Sequence, residues 1–402
     1  MIAASGGGAT SNSIRLRTGT NGEASIWLQL PVTNGANFVT VSAQSGTNTE
    51  QINFTEIAGI LSVIAIGGER IMELTTNGDV VSWGGNHYGE LGDYTFLDSS
   101  NPVHVVGLTN IINIALGLNY SLAIDSNGTL WSWGQLDNSQ DETNFPTQVL
   151  GMTNIIAIAA YGQEGGGDPA VAVKADGTVW MWGMSGCDTY GFPPVQIAGL
   201  SNVVSVTAGN CQTFALMTNG AVWMWGNGNE VPAPVSGLSN IVAICATDNH
   251  TLALASNGIV WAWGYNDYGQ LGDGGTEWYS DVPVRVSGLT NIVAVAAGAN
   301  HSLALDGGGQ LWAWGDDEYE QLGDGGVAYG VNLPMQVVGM TNIISIAAGT
   351  DASVAVDGNG NLWQWGQGSD WPIKSGAMKT GIPGCLRHAL IFITVSCPTW
   401  KF

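Results

Sequence analysis

Basic residues are scarce in this sequence: Lys and Arg number 9 against 32 Asp and Glu, a formal charge of −23. Such a surface repels phosphate backbones and anionic lipid, because neutralising them takes clustered Lys and Arg, so no nucleic-acid partner is expected. Long apolar runs are missing too. None reaches the roughly 18 residues that would cross a bilayer, so no membrane insertion is expected. The first residues, MIAASGGGATSNS (1–13), lack the basic start and apolar core of a signal peptide and read as a flexible segment. Five cysteines are too few for a disulfide framework in a chain of 402 residues. Cys187, Cys211 and Cys245 stand alone, while Cys385 and Cys397 fit either a pair or two buried free thiols. Catalytic signatures are absent as well. No HExxH, CxxC or nucleophile elbow occurs, and the Asp-x-Asp-x-Asp-Gly spacing of a calcium loop is missing. No catalytic residue, metal ligand or cofactor is therefore expected.

Glycine and tryptophan are abundant, at 59 and 17 residues, and 45% hydrophobic content is too high for a disordered chain. The length allows two or more ordinary domains or one large repetitive one. Repetition decides it. Trp-x-Trp-Gly recurs, ending at Gly84, Gly134, Gly183, Gly226, Gly264, Gly315 and Gly366, with Val81 replacing the leading Trp in the first copy. Six residues before each lies another glycine, mostly after Asn or Asp, as in SNGTLWSWG; that pattern predicts tight type I′ hairpins. Upstream come segments such as GLTNIINIAL and GMTNIISIAA, each preceded by a proline: Pro102, Pro146, Pro194, Pro232, Pro283 and Pro334.

A unit of this kind reads as a proline-bearing edge strand, an inner strand, a strand of the HSLALD type and a strand ending in WG. Proline lacks a donor and is tolerated at a sheet edge. Four short antiparallel strands per unit, repeated seven times, predict an all-β seven-bladed β-propeller. Both tryptophans of W-x-W share one strand face and are expected to pack between blades. Hairpin units and proline strands are offset by one, since Pro372 follows the last WG. Closure is therefore expected by pairing the C-terminal proline strand with the first repeat, residues 59–84.

Segments such as GYNDYGQLGDGG and GDDEYEQLGDGG, followed by a proline, GL-x-NI, HSLAL and WAWG in fixed order, resemble RCC1 (regulator of chromosome condensation) repeats. The resemblance covers residues 56–376. Three connectors, DNSQDETNFP, SGCDTYGFPP and GNGNEVPAP, lack GQLG. The resemblance implies a seven-bladed propeller acting by protein contact, as nucleotide-exchange factors and a secreted bacterial inhibitor of β-lactamases in this class do. The basic tail that RCC1 uses on chromatin has no counterpart here.

Residues 14–55 alternate differently, with NGEASIWLQL and NFVTVSA, and look like the last strands of a bacterial Ig-like domain, so the chain is expected to start within such a domain. A β-extension packed on the propeller fits the same residues. Residues 377–402 fit no repeat and form an irregular tail carrying Arg387 and His388.

Seven copies allow an internal comparison: residues common to every unit build the blade, and departures are where a specific function can reside. His250 and His301 share one repeat position, taken elsewhere by Arg70, Tyr120, Gln212 and Ala352, and read as structural hydrogen-bonding residues. DDEYEQLGDGG (316–326) gathers five carboxylates and reads as a solvated acidic loop. The off-pattern loops carry the candidate binding residues: Phe96, Glu164, Asp168, Trp278 and Tyr279. Exposed aromatics on a rigid loop scaffold are typical contact residues. The leading expectation is a non-enzymatic binding module, at the surface of or outside a bacterial cell, with a protein partner. A glycan-binding module stacking sugars on the same aromatics is the alternative, and an enzyme with a site in the central channel or an exchange-type regulator follows.

Overall fold

The computed structural model describes residues 2–5, 13–14, 35–45, 48–58, 63–67 and 70–374, apart from short segments at 76–77, 136–141, 162–168, 185–188, 210–211, 227–228, 248, 327, 360 and 367–368. The chain divides into two units. In the first, the strands Ile2–Ser5, Ser13–Ile14, Gly35–Ser45 and Asn48–Ala58 form one sheet, in which the last two pair as a long antiparallel hairpin.

The second unit holds seven sheets of four antiparallel strands, each built from four consecutive strands. Blade 1 comprises Val63–Gly67, Arg70–Leu74, Val80–Gly84 and Ser99–His104. Blades 2 to 7 repeat this order over residues 111–148, 155–196, 203–234, 241–285, 292–336 and 343–374. All described regular structure is β, as the period-two patterns require. The inner strands, such as Ile292–Ala297 (IVAVAA), end in small residues where the blades converge.

The proline strands lie elsewhere than expected. Each is the outer strand of the blade it follows, not the first strand of the next: Ser99–His104 pairs with Val80–Gly84, and Ser369–Lys374 with Leu362–Gly366. Units and proline strands are thus in step, and among the described residues no strand is shared between the two ends of the propeller. Pairing across one connector within the unit is cheap in loop entropy beside pairing the two ends of the propeller. Closure is instead by side-chain packing, with Ile71 and Trp83 of blade 1 against Ala347, Val354 and Val356 of blade 7.

Two further expectations change. In the hairpins only the glycines take positive φ, for example Gly128 at 75° and Gly258 at 78°, while Asn127 and Asn257 do not. With Gly128 N–H donating to Asp125 O, these are type I turns followed by a glycine bulge rather than type I′ turns. The two tryptophans also differ. The second (Trp133, Trp182, Trp225, Trp314, Trp365) is fully buried, whereas the leading one (Trp131, Trp180, Trp223, Trp312, Trp363) is half-buried. A fully buried Trp removes roughly 150–250 Å², a gross ~4–6 kcal/mol at ~25 cal/mol/Å². Only the second Trp gains that much.

Two backbone positions explain invariant residues. The WG glycines, such as Gly264 at φ 110°, would place a Cβ 2.4 Å from Asn249 O, so only glycine fits. The Asn before the inner strand of blades 2 to 7, from Asn110 to Asn342, has φ of 54–59°, the left-handed region that Asn tolerates.

Candidate interaction face

Strand direction divides the propeller into two faces. The tight hairpins and the Gly-Leu-Thr-Asn turns lie on one. The turns between first and second strands and the connectors between third and outer strands lie on the other. Connectors are long in blades 1, 5 and 6 (85–98, 266–278, 318–327) and short in blades 2, 3, 4 and 7 (135–142, 185–188, 227–228, 367–368).

Each long connector is pinned to the next blade at one carbonyl. Gln270 O accepts Trp314 Nε1–H at 2.8 Å and the Ser302 hydroxyl at 2.9 Å. Gln321 O accepts the same pair from Trp365 and Ser353, and Glu90 O from Trp133 and Ser121. After the short connectors of blades 2 and 3, the buried indole N–H of Trp182 and of Trp225 has no partner among the described residues.

The histidines complete this latch. His250 Nε2 lies 2.7 Å from Ser302 Oγ and His301 Nε2 2.9 Å from Ser353 Oγ. Each serine spends its hydrogen on the connector carbonyl, so each histidine donates from Nε2. Burial holds their pKa values down to about 4 and about 3, which leaves both neutral near pH 7. They are structural hydrogen-bonding residues, as read from the sequence. In blade 1 Arg70 replaces the histidine and Glu90 the glutamine. The two form a buried ion pair at 3.3 Å, and Arg70 also donates to Gly117 O, Leu118 O and Tyr120 O. Burial raises the Glu90 pKa and Arg70 opposes the rise.

Inside the connector a buried amide organises the loop. Asn86 Oδ1 accepts Leu91 N–H at 2.8 Å, and its Nδ2 donates to Thr95 O and Leu97 O. Asn266 Oδ1 accepts Leu271 N–H at 3.0 Å, and its Nδ2 donates to Glu277 O at 2.9 Å. Blade 6 has Asp317 at this position. Its Oδ1 accepts Leu322 N–H at 2.9 Å, and its Oδ2 is buried with no partner among the described residues. Burial, joined by the Asp324 and Asp316 carboxylates, outweighs the Leu322 bond and pushes its pKa up to about 7. The DDEYEQLGDGG segment is thus not a uniformly solvated loop, because Asp316 and Asp317 are buried. The closing acids cap turns: Asp93 accepts Thr95 N–H, Asp273 accepts Gly275 N–H and Asp324 accepts Gly326 N–H. No group of metal-ligating side chains occurs among the described residues.

Of the candidate binding residues, Trp278 and Tyr279 come together on this face, 62% and 43% exposed with ring centroids 5.6 Å apart. Tyr265, which the sequence reading missed, joins them at 6.1 Å from Trp278 and 5.4 Å from Tyr279. Its signal was an aromatic directly after WG, where the other units carry Gly, Gln, Met, Asn or Asp. The backbone beneath is held: Asn266 N–H donates to Trp278 O at 2.7 Å. Phe96 is exposed on the blade 1 connector, away from this cluster; beside it Tyr94 packs on Phe145. Glu164 and Asp168 lie outside the described residues.

The repeat and the ring define the class, a seven-bladed β-propeller that carries RCC1 repeats. The model described as "Regulator of chromosome condensation (RCC1) repeat" matches residues 77–124, 257–305 and 308–356. A second model of the same description matches 111–140, 241–270 and 292–321. Among curated proteins, the chain is 29% identical over 308 residues to the E3 ubiquitin-protein ligase HERC2 of Homo sapiens, covering 75% of this chain and 5% of HERC2. It is 28% identical over 291 residues to Protein pim1 of Schizosaccharomyces pombe, covering 68% of this chain and 40% of pim1. It is 38% identical over 106 residues to Protein RCC2 of Homo sapiens, covering 25% and 20%. The chain therefore spans well under half of each of these relatives. Among solved structures, Prp20p of Saccharomyces cerevisiae superposes with a TM-score of 0.62 at 23% identity, covering 74% of this chain and 85% of Prp20p. Human WBSCR16 gives 0.64 at 18% identity, covering 74% and 94%. At these identities the likeness is one of fold.

Proposed function

We propose that this propeller is a non-enzymatic module that binds a protein partner through its connector face, chiefly at blade 5. One observation carries the reading: three aromatic side chains, Tyr265, Trp278 and Tyr279, stand exposed and in mutual contact on a backbone fixed by Asn266. Rigid, exposed aromatics bind at low entropic cost and dominate interface energetics. Solved relatives of the fold support contact-based action, since Prp20p is described by its binding to Gsp1p and histones, and Kap60 is described bound to yeast RCC1 (Prp20). The acidic, lysine-poor composition and the alternating strands of the N-terminal region support placement outside a bacterial cell. The test is affinity capture from the source organism with wild type and Trp278→Ala side by side. A protein retained by the wild type and lost with the variant is expected; an identical captured set from both contradicts the reading.

A further inference from the structure

The surroundings of the aromatic cluster narrow the partner's chemistry. Tyr265, Trp278 and Tyr279 are interleaved with exposed carboxylates at Asp267, Glu277 and Asp281. The adjacent connector of blade 6 adds Glu318 and the exposed ring of Tyr319. The blade 5 connector touches the start of the blade 6 outer strand, with Tyr268 and Tyr329 rings 5.2 Å apart. Among the described residues, basic side chains are missing from this region. Between Lys174 and Lys374 the only Lys or Arg is Arg285, which sits opposite Trp261 toward the hairpin face and away from the Tyr265–Tyr279 end of its strand.

Acid and aromatic surfaces act together on a cation. Ring faces carry negative charge density, and a guanidinium both stacks on them and forks onto carboxylates. The negative field is visible in the groups it acts on. After burial, the charges of Asp316 and Glu318 are what push Asp351 up to about 6, and they add to burial and the neighbouring Tyr329 in raising the Tyr268 hydroxyl. A second copy of this chain is a poor occupant, since it carries the same −23 charge. An anionic partner is repelled, and a neutral sugar can use the carboxylates only as hydrogen-bond acceptors, without charge pairing.

Resting on the protein-binding reading above, we infer that the partner segment seated on blade 5 is an extended, arginine-bearing stretch of protein. Its guanidinium groups stack on Trp278 and Tyr265 and pair with Glu277 and Asp281. Arginine is favoured over lysine because both the stacking and the bidentate pairing use a planar fork.

The test uses the full chain, a fluorescent peptide of alternating Gly and Arg, and the same peptide with citrulline, which keeps the planar shape and loses the charge. Binding is read by anisotropy at low and at physiological salt. The wild type is expected to bind the arginine peptide at least tenfold more tightly than the citrulline peptide, with affinity falling as salt rises. Trp278→Ala and the pair Glu277→Gln with Asp281→Asn should each weaken it severalfold, with melting temperatures unchanged because all three side chains are exposed. Equal binding of both peptides overturns the inference. So does arginine-peptide binding that survives both variants, or cluster-dependent binding of a neutral glycan without arginine-peptide binding. A partner captured from extract that depends on Trp278 yet is indifferent to Glu277→Gln with Asp281→Asn retains the protein-binding reading and overturns this one.

Discussion

Two kinds of blade junction coexist in one ring. Where blades 1, 5 and 6 meet their successors, a long connector is tied down by a tryptophan, a serine and a residue at the histidine position. Where blades 2 and 3 meet theirs, the connector is short and the tryptophan N–H is left buried without a partner among the described residues. The segments matching the RCC1 repeat models run through blades 1, 2, 5, 6 and 7, and none falls between residues 141 and 240. Packing of the second Trp is common to both kinds of junction, and the polar latch serves the long connector. It anchors a loop of ten or more residues so that side chains at its tip can be displayed.

Breaking the charged version of the latch should have the largest effect. Arg70→His leaves Glu90 buried without its cation and should cost about 3–5 kcal/mol in denaturant unfolding. Adding Glu90→Gln recreates the neutral pair seen at His250 and Gln270 and should recover most of that loss. If the double variant is no better than the single one, the two substitutions are not compensating.

The Asn-to-Asp difference at residue 317 gives a pH signature. With a folded pKa of about 7, well above the ordinary aspartate value, Asp317 stays protonated in the folded chain between about pH 4 and 7 while the unfolded chain ionises. Its contribution is fully present below about pH 4 and is lost as pH rises through about 7. Asp317→Asn should therefore flatten stability across that window and be more stable at pH 8 by on the order of 2 kcal/mol. Identical pH profiles for the two proteins would contradict this.

A smaller effect separates the two junction types. Trp314→Phe removes the donor to Gln270 O, whereas Trp182→Phe removes an N–H with no partner among the described residues, so the first should cost about 1 kcal/mol more than the second. Equal shifts in thermal unfolding would erase the distinction. Smallest of all, Trp278→Ala should change stability by less than about 0.5 kcal/mol, since the side chain is exposed.

Much of this organisation is readable in the sequence because repetition exposes it. Seven WG glycines count the blades, and departures from the repeat locate Trp278 and Tyr279. The proline strands misled because proline marks an edge without naming the neighbour; a strand beside the preceding WG and one beside the following inner strand have the same pattern. Asp316 and Asp317 misled because a run of acids reads as solvated, whereas their burial depends on the loop folding back around residue 317. The Arg70–Glu90 pair left a faint signal, since the same unit departs from the repeat at both the histidine and the glutamine positions. Tyr265 was overlooked because it continues the Trp261–Trp263 alternation and so reads as packing.

The most direct test of the display account is amide hydrogen exchange of the propeller with and without its captured partner. Added protection is predicted at residues 265–281 and 318–327, on the connector face of blades 5 and 6. Protection confined to the opposite face, at hairpins such as residues 256–258 and 307–309, would contradict it.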